Sequence, residues 1–309
     1  MIGFALFLFR RLVGIALTVW AATVATFGLF RVGVPNPGID VQIAEQFGPG
    51  QSVFWQYIHY LGRLLHGDLG VSLTLQISVD TVLRESLAPT LSLMIGGMVL
   101  WLAAGIWAGT VSALRPGSWA DRIVSAGVLA TFSVPTFLLT LLLLAVFSRL
   151  AAEGNLWLQP GYVSIGQSPL QWLGRMILPW TAIAASQAGL TARLTRSGML
   201  DVLGEDYIRA ARAKGLDERR ILRLHVFRPA ILPVVSSIGV SFGSLLGAAA
   251  IVDQVFALGG IGQVFLTAVR VGDLPVILGT VLVVVVLIAV INLITDICYA
   301  LLDPAIRIT

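Results

Sequence analysis

Charge is scarce in this chain: Asp, Glu, Lys and Arg make up 12% of its 309 residues. A water-soluble domain of that size carries about 25%, so most of this surface is not built to face water. Cysteine is nearly absent. Cys298 stands alone inside the last apolar run, which excludes an intrachain disulfide and leaves the redox compartment unspecified. There is no phosphate loop of the GxxxxGKS or GxxxxGKT type, so the chain has no such route to ATP. No nucleophile–base constellation stands out, and His59 and His66 lack a cysteine or carboxylate partner at ligand spacing. A cleavable leader is not expected either. Arg10 and Arg11 precede an apolar run long enough to span a bilayer, with no clear small-residue cleavage site.

What is abundant is apolar sequence: 57% of residues are hydrophobic, with a mean hydropathy of +0.91. A spanning helix needs about 20 apolar residues, and six runs meet or approach that length, at 12–30, 90–114, 123–147, 177–192, 231–252 and 276–301. The fourth is short and contains Ser186, Gln187 and Thr191. With both termini inside, 14 of the 20 Lys and Arg residues fall in cytoplasmic segments and 6 outside. Positive charge is retained on the cytoplasmic side, so this orientation is expected. Nine of those cations lie between the fourth and fifth runs. The pI near 9.7 therefore reflects one loop and does not point to a nucleic-acid partner.

Two long loops follow from this topology. The outer loop, 31–89, holds a Gly67-Asp68-Leu69-Gly70 turn signal and an amphipathic stretch at 54–65 with aromatics at helical spacing. That stretch is expected to pack on the outer ends of the spans or lie along the membrane surface, with substrate contact as the sharper reading. The cytoplasmic loop, 193–229, is polar and helical in character. Glu205 and Asp206 precede Arg209 at pairing distance, Ala210, Ala211 and Ala213 favour helix, and Gly215 ends it beside Lys214. Asp217 is placed to cap a second helix over about 218–227. Tyr207 and the arginines surround a patch of small residues. On composition this is either a solvated basic loop or a docking element for a partner protein.

The run LTRSGMLDVLGEDYIRAARAKGLDERRIL closely resembles the inner-membrane permease subunits of the oligopeptide/dipeptide family of ABC importers. Their cytoplasmic loop carries the EAA motif, which docks a coupling helix into a cleft on the ATPase. Ala210, Ala211 and Gly215 match its small positions, and Arg209 stands at the acidic first position, a substitution the peptide branch commonly shows. The resemblance places the ATPase-docking surface on Glu205, Asp206, Tyr207, Arg209, Ala210, Ala211, Lys214, Gly215 and Leu216. HGDLGVS at 66–72, ILPW at 177–180, DQVFALGGIG at 253–262 and LDPAIR at 302–307 also resemble family segments. Asp253 replaces the usual glutamate, Gly259 the usual proline, and Ala305 an arginine.

The resemblance implies an all-α membrane protein, with six transmembrane helices in one permease domain over 1–309, of the type I ABC importer kind. It implies half of a translocation pathway for peptides or similar small solutes, working by alternating access in the bacterial inner membrane. The implied partners are a second homologous permease, two ABC ATPase subunits or domains, an extracytoplasmic solute-binding protein and the lipid bilayer. The chain itself would be non-catalytic and bind no cofactor, with ATP and Mg held by the ATPases. A self-sufficient secondary transporter is the alternative. It predicts an inverted repeat and several intramembrane charges, whereas no repeat is convincing and Asp296 alone is charged within a run.

Gly239, Gly243 and Gly247 form a stripe on one face of the fifth run, and Gly105 and Gly109 a pair on the second. Such residues let backbones approach closely, either within the subunit or, for the fifth run, against the second permease. Gln187 and Asn292 are the candidates for lining the pathway. Asp296 is expected to pair with an arginine of the cytoplasmic loop.

Overall fold

The computed structural model describes residues 2–33, 52–152 and 159–302. The fold there is all-helical, with one isolated antiparallel bridge between Val71 and Ser78. The helices are α1 Ile2–Gly33, α2 Val53–Leu65, α3 Val79–Leu114, α4 Trp119–Ser133, α5 Thr136–Ala152, α6 Pro169–Leu203 and α7 Asp206–Ala213. Then come α8 Glu218–Arg220, a π-helical stretch Ile221–Val226, α9 Phe227–Ala230, α10 Leu232–Phe256, α11 Ile261–Val271 and α12 Leu274–Leu302.

Among the described residues, four stretches are long and apolar enough to cross a membrane: Phe9–Gly28, Val79–Leu114, Glu218–Phe256 and Leu274–Tyr299. They coincide, to within two residues at one end, with the first and sixth expected spans and contain the second and fifth. The third expected span is broken. Val134 is extended (φ −102°, ψ 117°) because Pro135 disfavours helix at the preceding residue, so α4 stops and α5 starts anew. The fourth lies within α6, which is 35 residues long but diluted by polar side chains. Ser186 Oγ donates to the Ile183 carbonyl at 2.7 Å, satisfying itself within the helix.

The central contact is α3 against α6. Gly97, Trp101, Gly105 and Gly109 recur every four residues on one face of α3. A Cβ on Gly105 would stand 2.6 Å from Thr191 Cβ, and one on Gly109 2.5 Å from the Ala192 carbonyl oxygen. The backbones thus approach as closely as glycine allows. Between them the Trp101 indole N–H donates to Thr191 Oγ1 at 3.0 Å. Further along, Trp180 donates to the Ser92 carbonyl at 2.8 Å and packs with Leu93, Met176 and Phe256 in the main apolar core.

The described part of the segment between α1 and α3 is tied down at two places. In α2, Tyr60 packs with Phe27 of α1 and with Leu274 and Leu278 of α12, while the Tyr57 hydroxyl lies 2.9 Å from Thr23 Oγ1. The amphipathic stretch therefore packs on the end of α1 and the start of α12, leaving Phe54, Trp55 and Ile58 exposed on its other face. In the HGDLGVS segment, Asp68 is held by Arg63 at 2.9 Å, and the buried Ser72 hydroxyl donates to the buried Asp273 carboxylate at 2.6 Å. That segment thereby locks onto the α11–α12 junction. At the other end of α11, three otherwise orphaned N–H donors are satisfied. Asp253 accepts from Gly260 at 2.9 Å and Gln263 at 2.8 Å, and Thr90 Oγ1 accepts from Ile261 at 2.8 Å.

Candidate functional site

The loop after α6 begins at Gly204, whose N–H donates to the Leu200 and Asp201 carbonyls, both at 3.2 Å. Glu205 then turns the chain with an extended backbone (ψ 146°) and α7 starts at Asp206. Of the two acids before Arg209, Asp206 forms the ion pair, at 2.7 Å with both groups exposed. Arg209 also donates to the Gly204 carbonyl at 3.3 Å. The helix ends at Lys214. Gly215 takes φ +75°, a left-handed conformation that disfavours any side chain there, and its N–H donates to the Arg212 carbonyl at 2.9 Å. Arg212 bridges the turn to Glu218 at 2.8 Å. The arginine holds the Glu218 carboxyl below its ordinary range. Asp217 caps the next helix through its carboxylate, which accepts from the Arg220 N–H at 3.3 Å, as the sequence predicts.

The second loop helix differs from its expected regular form. Only Glu218–Arg220 is α-helical before the π-helical stretch takes over. Pro229 has no N–H to return to the His225 carbonyl. The Tyr207 hydroxyl donates to that carbonyl at 3.2 Å instead, stitching the two loop helices together. Desolvation, and secondarily the charge of Glu205, raises the Tyr207 pKa, keeping this donor protonated.

One residue roots the loop helix in the bundle. Ile208 is completely buried, packed with Met199, Ile221 and Val226 in a cluster that also takes in Ala113 and Ala230. On the other side Arg209, Ala210, Ala213, Lys214, Gly215 and Leu216 are exposed, and Ala211 is half-buried. The result is a short helix with an apolar root and an outward face of small residues flanked by cations.

Above the loop, Asp121 and Arg196 form a bidentate pair at 2.8 and 3.0 Å. Ser112 donates to the same carboxylate, as does the Gly117 N–H at 2.8 Å. The Arg196 guanidinium first, then Ser112 and Gly117, hold the Asp121 carboxyl well below the usual carboxylate range. This network joins the ends of α3, α4 and α6, the helix that runs into the loop.

The glycine stripe divides. Gly239 lies beneath the Asn292 amide oxygen of α12, so a side chain there would collide with it. Gly243 and Gly247 are exposed, have nothing among the described residues within 4 Å of a Cβ position, and line a cavity of about 310 Å³ between α10, α11 and α12. Asn292 thus touches one of the stripe residues, whereas Gln187 is half-buried on α6.

A profile for the family described as "Binding-protein-dependent transport system inner membrane component" matches residues 102–308, which includes this whole loop. The chain belongs to that family. It is the permease subunit of a binding-protein-dependent ABC importer, a non-catalytic membrane component. It is 38% identical over 273 residues to a protein of Brucella abortus (strain 2308) that bears the name of a peptide transport system permease, covering 88% of this chain and 86% of that one. It is 34% identical over 313 residues to the glutathione transport system permease protein GsiC of Escherichia coli (strain K12), covering 97% and 98%. Its fold matches a chain of the inward-facing MetNI methionine ABC transporter, with a TM-score of 0.54 and 21% identity over 72% of this chain and 96% of that one.

Several structural residues of this permease escape a linear reading. Asp121 and Arg196 lie 75 positions apart, and Ser72 and Asp273 lie 201 apart. The one available signal was an acid in the first turn after a Ser118 cap. Asp296 does pair with an arginine, but with Arg11 of α1 at 2.5 Å and not with an arginine of the 193–229 loop. α1 and α12 are neighbours, which brings Arg11 within reach. The LDPAIR resemblance lies, apart from Leu302, outside the described residues.

Proposed function

We propose that α7 is the coupling helix through which ATPase subunits drive this permease. The chain is read as a single domain over 1–309, with six spans and both termini in the cytoplasm. α4 and α5 together form the third span and α6 carries the fourth. Glu205, Asp206, Tyr207, Arg209, Ala210, Ala211, Lys214, Gly215 and Leu216 make the docking surface. The observation that carries this reading is the two-sided character of α7: Ile208 is fully buried, while small residues and cations face outward. Force on the outer face is transmitted through Ile208 into α6 and α3.

The solute is a peptide or a peptide-like molecule such as glutathione, by analogy with the names of the relatives. A solute-binding protein delivers it from outside, and a second homologous permease supplies the other half of the pathway. Gly243 and Gly247 leave an open face that suits that second subunit, while Gln187 and Asn292 are assigned to the pathway. ATP and Mg stay on the ATPases.

The test is co-isolation of the ATPase with this chain in mild detergent. Gly215→Trp places a bulky residue at a left-handed position on the docking face and should abolish co-isolation while the chain still inserts. Undiminished co-isolation by that variant rejects the assignment.

A further inference from the structure

A groove of about 300 Å³ lies between α4 and α6. Val124, Val128 and Leu129 of α4 and Ala192 of α6 supply its apolar wall, and Arg193 and Arg196 its cations. Arg196 is tied to Asp121, three residues before Val124, so the cations mark the end nearest the cytoplasmic loop. Val128 lies one helical turn, about 6 Å, deeper than Val124.

The two arginines differ in charge balance. Asp121 neutralises Arg196, whereas Arg193 is exposed and makes no hydrogen bond or ion pair among the described residues. Nearby, Trp119 is 77% exposed at the start of α4, with the Arg122 guanidinium 5.8 Å from its ring. An exposed Trp beside a cation is the usual furniture of the membrane–water boundary. The groove therefore has an uncompensated guanidinium at headgroup level and an aliphatic wall running toward the bilayer interior.

We propose that this groove binds an anionic phospholipid of the cytoplasmic leaflet, a reading that rests on the cytoplasmic placement of the loop. The lipid phosphate sits on the Arg193 guanidinium, whose planar donors match phosphate oxygens. An acyl chain lies along Val124, Val128 and Leu129, burying apolar surface on both sides. Basic pockets between spanning helices on the cytoplasmic side suit lipid headgroups. A peptide solute fits poorly, since beyond Ser125 the wall offers its amides no partner.

The experiment uses the full complex in mild detergent. It is titrated with phosphatidylglycerol or with phosphatidylcholine of the same acyl chains, and bound lipid is counted by native mass spectrometry. Phosphatidylglycerol should bind preferentially. Arg193→Gln should weaken it about fivefold, the share of one basic residue at an anionic lipid surface, and weaken phosphatidylcholine less, because its choline cation already offsets the phosphate charge. Val128→Trp should weaken both by filling the groove, and Arg219→Gln in the loop should alter neither. An unchanged lipid preference in Arg193→Gln overturns the proposal. So does displacement of lipid by millimolar inorganic phosphate, which would mark a free-anion site. Should Val128→Trp misfold, Arg193→Gln decides alone. The readout is lipid and not transport, so lost preference with intact ATPase co-isolation rejects the lipid site and leaves the coupling assignment standing.

Discussion

Truncating Ile208 to Ala isolates the root of α7, the proposed coupling helix, from its outward face. Ile208 is fully buried against Met199, Ile221 and Val226, and an Ile→Ala change in such packing costs about 2–5 kcal/mol. Little else holds α7. Its eight residues fall well short of the roughly 12–15 an isolated helix needs. Its remaining ties are the small Ala211 contact with the same cluster and three exposed polar contacts that contribute little: Arg209 to the Gly204 carbonyl, Tyr207 to the His225 carbonyl and Arg212 to Glu218. At the low end, about 2 kcal/mol raises the undocked population about 30-fold. Hydrogen exchange of peptides covering 205–216, read by mass spectrometry in the detergent-solubilised complex, should therefore accelerate about 30-fold or more. Exchange in α3 and α6 should stay as in the parent, and ATPase co-isolation should fall. Two results would refute this reasoning: unchanged exchange at 205–216, or acceleration spread equally over α3 and α6. The first would mean that α7 does not hang on this side chain, the second that Ile208 supports the whole bundle.

Three further expectations follow from packing and charge. Gly109→Leu must push apart α3 and α6, whose backbones leave 2.5 Å at the Cβ position, so detergent-phase thermal stability should drop sharply. Gly243→Leu meets open space, so it should insert and melt normally yet lose the second permease on co-purification; a large melting loss in Gly243→Leu would show that the stripe packs within the subunit. The pH dependence of the Asp121–Arg196 pair has a definite sign. A carboxyl depressed in the folded state stabilises fully above its unfolded value, about 3.9, and loses that contribution as pH falls through the folded value. The stability gap between parent and Asp121→Asn should be flat from about pH 7 to pH 5 and narrow only in stronger acid. Narrowing already near neutrality would contradict the network.

The loop around α7 was legible because its determinants are local. Gly215 lies where a left-handed turn ends α7, and Asp217 caps the following helix through its own carboxylate. The stretch at 54–65 was legible as a helix, but which of its faces packs was decided by Phe27, Leu274 and Leu278, distant in the chain. Pro135 interrupted an apolar run that hydropathy reads as continuous, because averaging over a window does not register a residue that forbids helix before it. Pro229 likewise leaves the His225 carbonyl without its helical donor, but the hydroxyl that replaces it comes from Tyr207, 18 residues away.

Order along the chain was enough to establish a membrane protein, the positions of four membrane-length apolar stretches among the described residues and the short helix at Asp206–Ala213. Hydropathy, capping and turn chemistry act over one or two turns, and a linear reading captures them. Only the packed structure decided which charges meet and which glycines touch. Arg11, not a loop arginine, neutralises Asp296; Arg196 joins Asp121; Gly239 packs under Asn292 while Gly243 and Gly247 face open space. A buried charge or a missing side chain states a need that many distant residues could meet, and the choice among them is made when the helices pack.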